Sequence, residues 1–389
     1  MSDLLTADGL ERFGAVAAAH VDDEKVPGLV ALVARGDQVH VEALGSLSIG
    51  GAPVRRDSLF RIASTTKPVT GAATLALVRD GLFGLDERVD GLLPELASPR
   101  VLRRMDGPLD ETVPAARPIT VRDLLTFTFG FGMVMDMFAA PKPWPVVAAA
   151  TGLRLSTIGP PNPAEQPDPD MWIHAFGSLS LLAQPGERWL YGTGASVLGV
   201  LLARAAGQSF PDVLRTRIFE PLGMRDTAFW ASDTARLATA YVPTADGLQV
   251  WDPPEGQWSR PPVFGDGAAG LVSTADDLLA FARMLLRGGE PVLSSDAVTE
   301  MTRDQLTPAQ KARGGEGFLD GRSWGFCQSV VTNGPRAGAF GWDGGFGSSW
   351  LVDPTRDLTV IVLTQRMFET ALAPQVHVDL QAAAYAALP

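Results

Sequence analysis

The stretch Phe60-Arg61-Ile62-Ala63-Ser64-Thr65-Thr66-Lys67-Pro68-Val69-Thr70 constrains this chain more than any other. A short apolar run ends in a serine, and Ala72, Ala73, Leu75, Ala76, Leu77 and Val78 follow at helical density up to Gly81. The spacing predicts a helix opened by Ser64, with Lys67 about one turn on and over the same face. Pro68 then lies in the first turn, where a missing N–H costs little. Of the four lysines (Lys25, Lys67, Lys142 and Lys311), only Lys67 has a serine three places before it. A serine hydroxyl is a poor nucleophile until a neighbouring base takes its proton. A partly desolvated lysine beside it can be that base or can tune another one. The same four residues also suit a capped helix with a surface lysine, so partners elsewhere in the chain must decide.

A length of 389 residues suits two packed domains, or one domain with a large insertion. The net charge of −12 argues against nucleic acid and anionic membrane surfaces as partners. Cys327 is the lone cysteine, which excludes an internal disulfide, and it reads as a small buried strand residue. The first residues lack a basic region followed by an apolar core, and no stretch of about 18 apolar residues occurs, so the expected location is the cytoplasm. His20, His40 and His174 are scattered without metal-site spacing, and no metal or other cofactor is expected.

Along the chain, Thr6 to Val21 reads as an amphipathic helix, and Gly28 to Ala34 with Val39 to Leu44 as a hairpin around Gly36-Asp37. Thr120 caps a short helix that continues into an aromatic and Met stripe: Phe127, Phe129, Phe131, Met133 and Met135. Such a stripe is usually core, but beside a nucleophile it can line an acyl pocket. A Pro-rich loop around 140–170 reads as a lid. Helices are expected over Ala195–Ala206, Phe210–Phe219 and, capped by Thr274, Ala275–Leu286. Trp324–Val331, Ala337–Trp342, Ser348–Asp353 and Leu358–Thr364 read as an antiparallel meander, closed by a helix over Gln375–Ala387. The expected fold is α/β (α+β), with one antiparallel sheet built from both ends of the chain and flanked by the terminal helices. Residues 1–85 and 245–389 would form that domain, and 86–244 a mostly helical lobe, with Ser64 near the seam.

The chain resembles the serine β-lactamase and penicillin-binding-protein superfamily, above all class C β-lactamases and family VIII carboxylesterases. The likeness rests on Phe60 to Lys67, Ile119 to Thr126, Pro185 to Tyr191, Ile218 to Met224, Gly270 to Thr274 and Gly341 to Gly345. The resemblance implies a β-lactamase/transpeptidase-like fold. It makes Ser64 the nucleophile, Lys67 its activating partner and Tyr191 a second proton-transfer group held between lysine and hydroxyl. A tyrosine ordinarily ionises near about pH 10, so an adjacent ammonium has to favour the phenolate for this to work. The resemblance also places the oxyanion hole at the backbone N–H groups of Ser64 and Gly345, with Trp342, Asp343 and Gly344 along the substrate and Phe127 and Phe129 in the acyl pocket.

Two departures from the family pattern matter. Tyr191-Gly192-Thr193 stands where Tyr-Ser-Asn or Tyr-Ala-Asn is usual, so the side-chain amide is missing. Trp342-Asp343-Gly344 stands where Lys-Thr-Gly or His-Thr-Gly is usual, which removes a cation that would hold a substrate carboxylate. On a strand, Trp342 and Asp343 should face opposite sides. Both changes favour a neutral, short-chain ester and hence a serine carboxylesterase acting on a small molecule. The rivals are a β-lactamase or D-amino-acid peptidase, an acyltransferase of the same fold, and a catalytically silent ligand binder. A competing motif, Gly321-Arg322-Ser323-Trp324-Gly325, matches the α/β-hydrolase nucleophile elbow, with Asp353 and His377 in matching order. That elbow needs a strand before it and a helix after it, and the flanking sequence predicts neither.

Overall fold

The computed structural model describes residues 4–22, 26–157 and 159–389. Its centre is a seven-stranded antiparallel sheet. Taken along the chain, the strands are β1 (Gly28–Arg35), β2 (Gln38–Gly45), β3 (Arg322–Trp324), β4 (Ser329–Val331), β5 (Phe340–Gly344), β6 (Ser348–Asp353) and β7 (Leu358–Thr364). Their order across the sheet is β2-β1-β7-β6-β5-β4-β3, so β1 pairs with β7 and joins the N-terminal hairpin to the C-terminal strands.

Alternate residues of the central strands enter two different cores, as the period of two requires. Leu29, Ala31 and Val33 with Val360 and Val362 meet Phe13 and Ala17 of helix α1 (Ala7–Asp22) and Leu380 and Ala384 of the C-terminal helix Gln375–Ala386. Val30, Leu32, Ile361 and Leu363 face the other way, into the larger core shared with helices α2 (Thr66–Arg79), α3 (Thr193–Ala206) and α4 (Ala275–Leu286). The expected antiparallel sheet flanked by terminal helices is therefore present, with helices and loops between its two halves.

Local signals hold where the chemistry is short-range. Thr120 and Asp123 form a reciprocal capping box at the start of Val121–Leu125, and Thr274 accepts from the Asp277 N–H to start α4. Helix α3 ends at Gly207, which adopts a left-handed conformation. Other expectations need correction. Trp324–Val331 is not one strand: it turns at Gly325–Gln328, and Cys327 sits in that turn at φ +59° rather than on a strand, although it is fully buried. The last inner strand spans Phe340–Gly344, later than Ala337–Trp342. The helix expected over Phe210–Phe219 changes at Arg215 into a π-helical turn and ends at Gly223 beyond Pro221. The Pro-rich stretch is not a featureless loop, because Pro145 opens a helix that runs to Gly152.

The approach to Ser64 is anchored by a buried ion pair. Phe60–Arg61 pairs with Val272–Ser273, and the Arg61 guanidinium turns inward to Asp252, donating through both Nε and Nη2. It also donates to the Ala238 and Pro253 carbonyls and lies 5.3 Å from the Trp258 ring. Removing one partner of such a pair strands a buried charge. Arg61→Met should therefore lower the free energy of urea unfolding by about 3–5 kcal/mol, and Arg61→Met with Asp252→Leu should recover more than half of that loss. A single variant within about 1 kcal/mol of the native protein would show that the pair does not anchor this segment.

Candidate active site

Ser64 lies in a tight turn between the Phe60–Arg61 strand and α2. Ala63, directly before it, is buried at φ +42°, a left-handed conformation that an alanine adopts only under constraint. A 3₁₀ turn over Ala63–Thr65 then runs into α2 at Thr66, so the predicted helix starts two residues after Ser64. Lys67 occupies the first turn of α2. It is 2% exposed, and its Nζ donates to Ser64 Oγ at 2.8 Å and to the Ala268 carbonyl at 2.8 Å.

The strand end that the resemblance assigns to the oxyanion hole is clamped against this turn. Ser348 Oγ donates to the Ile62 carbonyl at 2.7 Å and lies 2.9 Å from Thr65 Oγ1. Gly344 approaches so closely that a Cβ there would sit 2.1 Å from the Ile62 carbonyl oxygen, so only glycine fits. Gly345 comes next, with open space where a side chain would be. Its carbonyl accepts from the Phe368 N–H at 2.8 Å.

Tyr191 is positioned by a two-way backbone exchange with Met133 and is followed by Gly192 at φ +101°, which turns the chain into α3. Its ring stacks on Phe318 at 5.2 Å and packs against Trp189, Trp324 and Trp342. Lys67 Nζ lies 4.7 Å from the centroid of that ring. The hydroxyl of Tyr191 accepts from Trp342 Nε1–H at 2.6 Å. The lysine therefore stacks on the face of the tyrosine, whereas the sequence expectation placed the phenol between lysine and serine.

A cavity of about 850 Å³ opens over these groups. Ser64, Lys67, Tyr191, Trp342, Asp343 and Gly345 line it together. Its apolar wall comes from Met133, Met135, Phe138, Phe318, Phe346 and Phe368, and Ser156–Thr157 and Gly159–Pro161 of the Pro-rich stretch also border it. Phe127, Phe129 and Gly344 do not line it. Phe127, held at φ +58°, points its fully buried ring at Tyr191 and Trp324, Phe129 packs on Phe176, and Gly344 is covered by the Ile62 carbonyl.

Trp342 and Asp343 do face opposite sides of β5. Trp342 turns to Tyr191, and Asp343 turns towards His377, whose Nδ1 is 4.0 Å away. His377 Nε2 is 3.1 Å from the Gly347 carbonyl, which can only accept, so the ring proton sits on Nε2. Burial holds the His377 ring well below the ordinary histidine range, against the opposing pull of Asp343.

Three cavity-lining residues were missed as a group by the sequence reading: Thr193, Ser196 and Asp266. Asp266 Oδ1 accepts from Ser196 Oγ at 2.7 Å and from the Ala268 N–H at 2.9 Å. Burial raises the Asp266 carboxyl above the usual range, while those two hydrogen bonds and Lys67 pull it back. Its only local signal was an acid set among small residues in Gly265-Asp266-Gly267-Ala268-Ala269-Gly270. Arg322 also lines the cavity and makes no ion pair among the described residues.

Ser323 has a different setting. It lies on edge strand β3, fully buried, with its hydroxyl donating to Asp304, and no helix follows. Asp353 pairs with Arg356 and His377 serves Gly347, so neither approaches Ser323 as a triad partner.

The model of the family described as Beta-lactamase matches residues 13–384. The chain belongs to the Beta-lactamase family. Protein Rv1367c of Mycobacterium tuberculosis is 38% identical over 358 residues, covering 86% of this chain and 82% of the relative. Esterase EstB of Burkholderia gladioli is 30% identical over 404 residues, covering 96% and 95%. Among solved structures, EstCE1, described as a hydrolase with promiscuous acyltransferase activity, superposes with a TM-score of 0.80 at 25% identity, covering 97% of this chain and 99% of that one. The resemblance read from the sequence is borne out, and the chain is a β-lactamase-fold member of a serine-hydrolase family that has esterases among its relatives.

The contrast between the two serines is directly testable. A fluorophosphonate probe should label the native protein and Ser323→Ala but not Ser64→Ala. Labelling that survives in Ser64→Ala and disappears in a folded Ser323→Ala protein would reverse the assignment.

Proposed function

We propose that the protein is a serine carboxylesterase acting on neutral, short-chain esters through an acyl-Ser64 intermediate. The observation that carries this reading is Lys67 Nζ held 2.8 Å from Ser64 Oγ, under a largely apolar cavity wall. In its amine form Lys67 takes the hydroxyl proton as Ser64 Oγ attacks the ester carbonyl. The negative oxygen that forms rests on the backbone N–H groups of Ser64 and Gly345, which the Ser348 and Gly344 contacts hold together. The C–O bond then breaks, and the alcohol leaves with the proton that Lys67 took from Ser64, while the Tyr191 hydroxyl, on the same cavity, is the second proton-transfer group. Trp342 can only donate at Nε1, so it supports charge developing on the tyrosine oxygen. Water repeats the sequence on the acyl-enzyme, releasing the acid and restoring Ser64.

The neutral-substrate preference rests on the third motif. Trp342 supplies no charge to the cavity, and Asp343 supplies a negative one. Esterase EstB and EstCE1 support an ester as the substrate class. EstCE1 also supports a second outcome for the acyl-enzyme, transfer to an alcohol in place of water, which uses the same groups. A β-lactamase reading has its own specific support in Arg322, a cation at the cavity wall that can hold a carboxylate.

A comparison of substrates tests these readings. kcat/KM for p-nitrophenyl butyrate should exceed that for nitrocefin by about 10- to 10²-fold or more, the value of one missing charge-assisted contact of about 1.5–3 kcal/mol. D-alanyl peptides should be turned over no faster than nitrocefin. Efficient nitrocefin hydrolysis that is lost in Arg322→Ala would put β-lactamase in first place.

A further inference from the structure

A row of aromatic rings leads away from the reacting groups, and the proposed ester cleavage uses only Tyr191 of them. Lys67 Nζ, 2.8 Å from Ser64 Oγ, lies 4.7 Å from the Tyr191 ring centroid. The Phe318 ring stacks on Tyr191 at 5.2 Å with the ring planes 24° apart, and the Phe138 ring follows at 6.5 Å from Phe318. All three rings line the cavity that holds Ser64. Exposure rises along the row, from buried Tyr191 through half-buried Phe318 to Phe138, which is 56% exposed. Gly317, at φ +76°, sits directly against Met135: a Cβ on Gly317 would be 2.8 Å from Met135 Cγ. That close approach joins the turn that carries Phe318 to the segment that carries Phe138.

The cavity is larger than the reaction needs. A short acyl chain and the ester group fill only part of about 850 Å³, a volume in the range that encloses a drug-sized ligand. Its border is also apolar where it meets solvent. Phe138, Leu372 and Val378 line it and are 56%, 62% and 48% exposed. Large apolar side chains exposed singly need no explanation, but three at one cavity mark a surface that a bound ligand covers. Phe346, Met367 and Phe368 add further apolar lining, and Phe368 is tied to the Gly345 turn by its N–H.

We propose that the rings from Tyr191 to Phe138 bind an aromatic group on the alcohol side of the substrate, so that the preferred ester joins a short acyl chain to an arylalkyl alcohol. The inference rests on the esterase reading and adds to it the class of alcohol. In that reading the departing alcohol takes its proton beside Lys67 and Tyr191. Its oxygen therefore leaves at the inner end of the row, and its carbon skeleton has the row to lie along. Aromatic rings meet one another in stacked or edge-on contacts that add to the burial of apolar area. A rigid ring also gives up little rotamer freedom on binding, whereas an alkyl chain of equal size loses freedom at every bond it fixes. Phe318 and Phe138 carry neither charge nor a hydrogen-bonding group, so the ligand they suit is apolar.

Matched esters of unactivated primary alcohols test this on the intact protein. kcat/KM is compared for 2-naphthylmethyl butyrate, n-undecyl butyrate (with the same number of alcohol carbons) and ethyl butyrate. Ethyl 4-(2-naphthyl)butyrate places the same ring on the acyl side, and each ratio to ethyl butyrate is corrected for the alkaline hydrolysis rates. 2-Naphthylmethyl butyrate should be preferred to ethyl butyrate by about 10-fold or more. Phe138→Ala, which truncates a ring that is more than half exposed, should lower that preference by about three-fold or more. The readout is a ratio within each variant, so a general change in activity cancels. Calorimetric binding of 2-naphthylmethanol needs no turnover; it should saturate with the native protein and weaken by a similar factor in Phe138→Ala. A native ratio within about two-fold of one, or a preference and an alcohol affinity that Phe138→Ala leaves in place, would overturn the aromatic subsite while leaving the esterase reading intact. Faster cleavage of n-undecyl than of 2-naphthylmethyl butyrate would overturn the choice of a ring, and a preference confined to ethyl 4-(2-naphthyl)butyrate would overturn the alcohol side. Turnover of none of these esters, with 2-naphthylmethanol still bound through Phe138, would overturn the esterase reading but support the row of rings as a ligand site.

Discussion

Ser348 Oγ donates to the carbonyl of Ile62, and the geometry of the site depends on that bond. Ile62 precedes the turn that carries Ser64, and Ser348 opens the strand that follows the Gly344–Gly347 turn. The two segments are almost three hundred residues apart in sequence. With Gly344 pressed against the same carbonyl, the bond ties the turn that carries Gly345 to the segment that carries Ser64, and both residues line one cavity. The sheet makes this contact rigid, because Ser348 pairs with Leu363 of β7, and β7 pairs in turn with β1. Buried hydrogen bonds of this kind contribute little net stability, but their loss leaves desolvated groups unpaired. Their value here is positional: the roles proposed for Ser64 and Gly345 require a nucleophile and its oxyanion donors to be aligned before substrate arrives.

The second constraint is electrostatic. Lys67 is buried with one hydrogen bond to Ser64, one to a backbone carbonyl and an aromatic face beside it. A buried polar nitrogen needs hydrogen-bond partners to compensate for lost hydration. The Ala268 carbonyl provides one, on the loop that also carries Asp266 and that is clamped by α2 through Thr70 and by α3 through Ser196. The elements that build the core thus also set the surroundings of the lysine. Trp342 extends the same logic to Tyr191: a residue that removes charge from the third motif supplies a hydrogen bond to the phenol.

Much of this was legible in the sequence where it rests on local chemistry. Thr120 with Asp123, Thr274 with Asp277, and Gly207 after α3 are short-range caps whose partners lie within a turn, and they were readable for that reason. The strands of the sheet were readable as short apolar runs joined by tight turns, except where Gly325–Gln328 hides a turn inside such a run. Ser64, Lys67 and Tyr191 were legible as a group only through the family's motifs, and the fold brings their side chains to one cavity. What escaped depends on long-range convergence. Phe127 and Phe129 had the composition of a pocket wall, but both are buried in the core, Phe127 from a left-handed backbone conformation, and Phe318, Phe346 and Phe368 reach the cavity from distant loops. Asp266 finds Ser196 seventy residues away, a pairing that no local pattern announces.

The central claim is that an acyl group is carried on Ser64. Rapid acid quenching during turnover of p-nitrophenyl butyrate, followed by tryptic digestion and mass spectrometry, tests it most directly. Trypsin separates Ile62–Arg79, which contains Ser64, from Ser323–Arg336, which contains Ser323. The account predicts a butyryl mass increase on Ile62–Arg79, located at Ser64 by fragmentation. The same increase on Ser323–Arg336, or turnover with no covalent adduct under conditions where deacylation limits the rate, would contradict it.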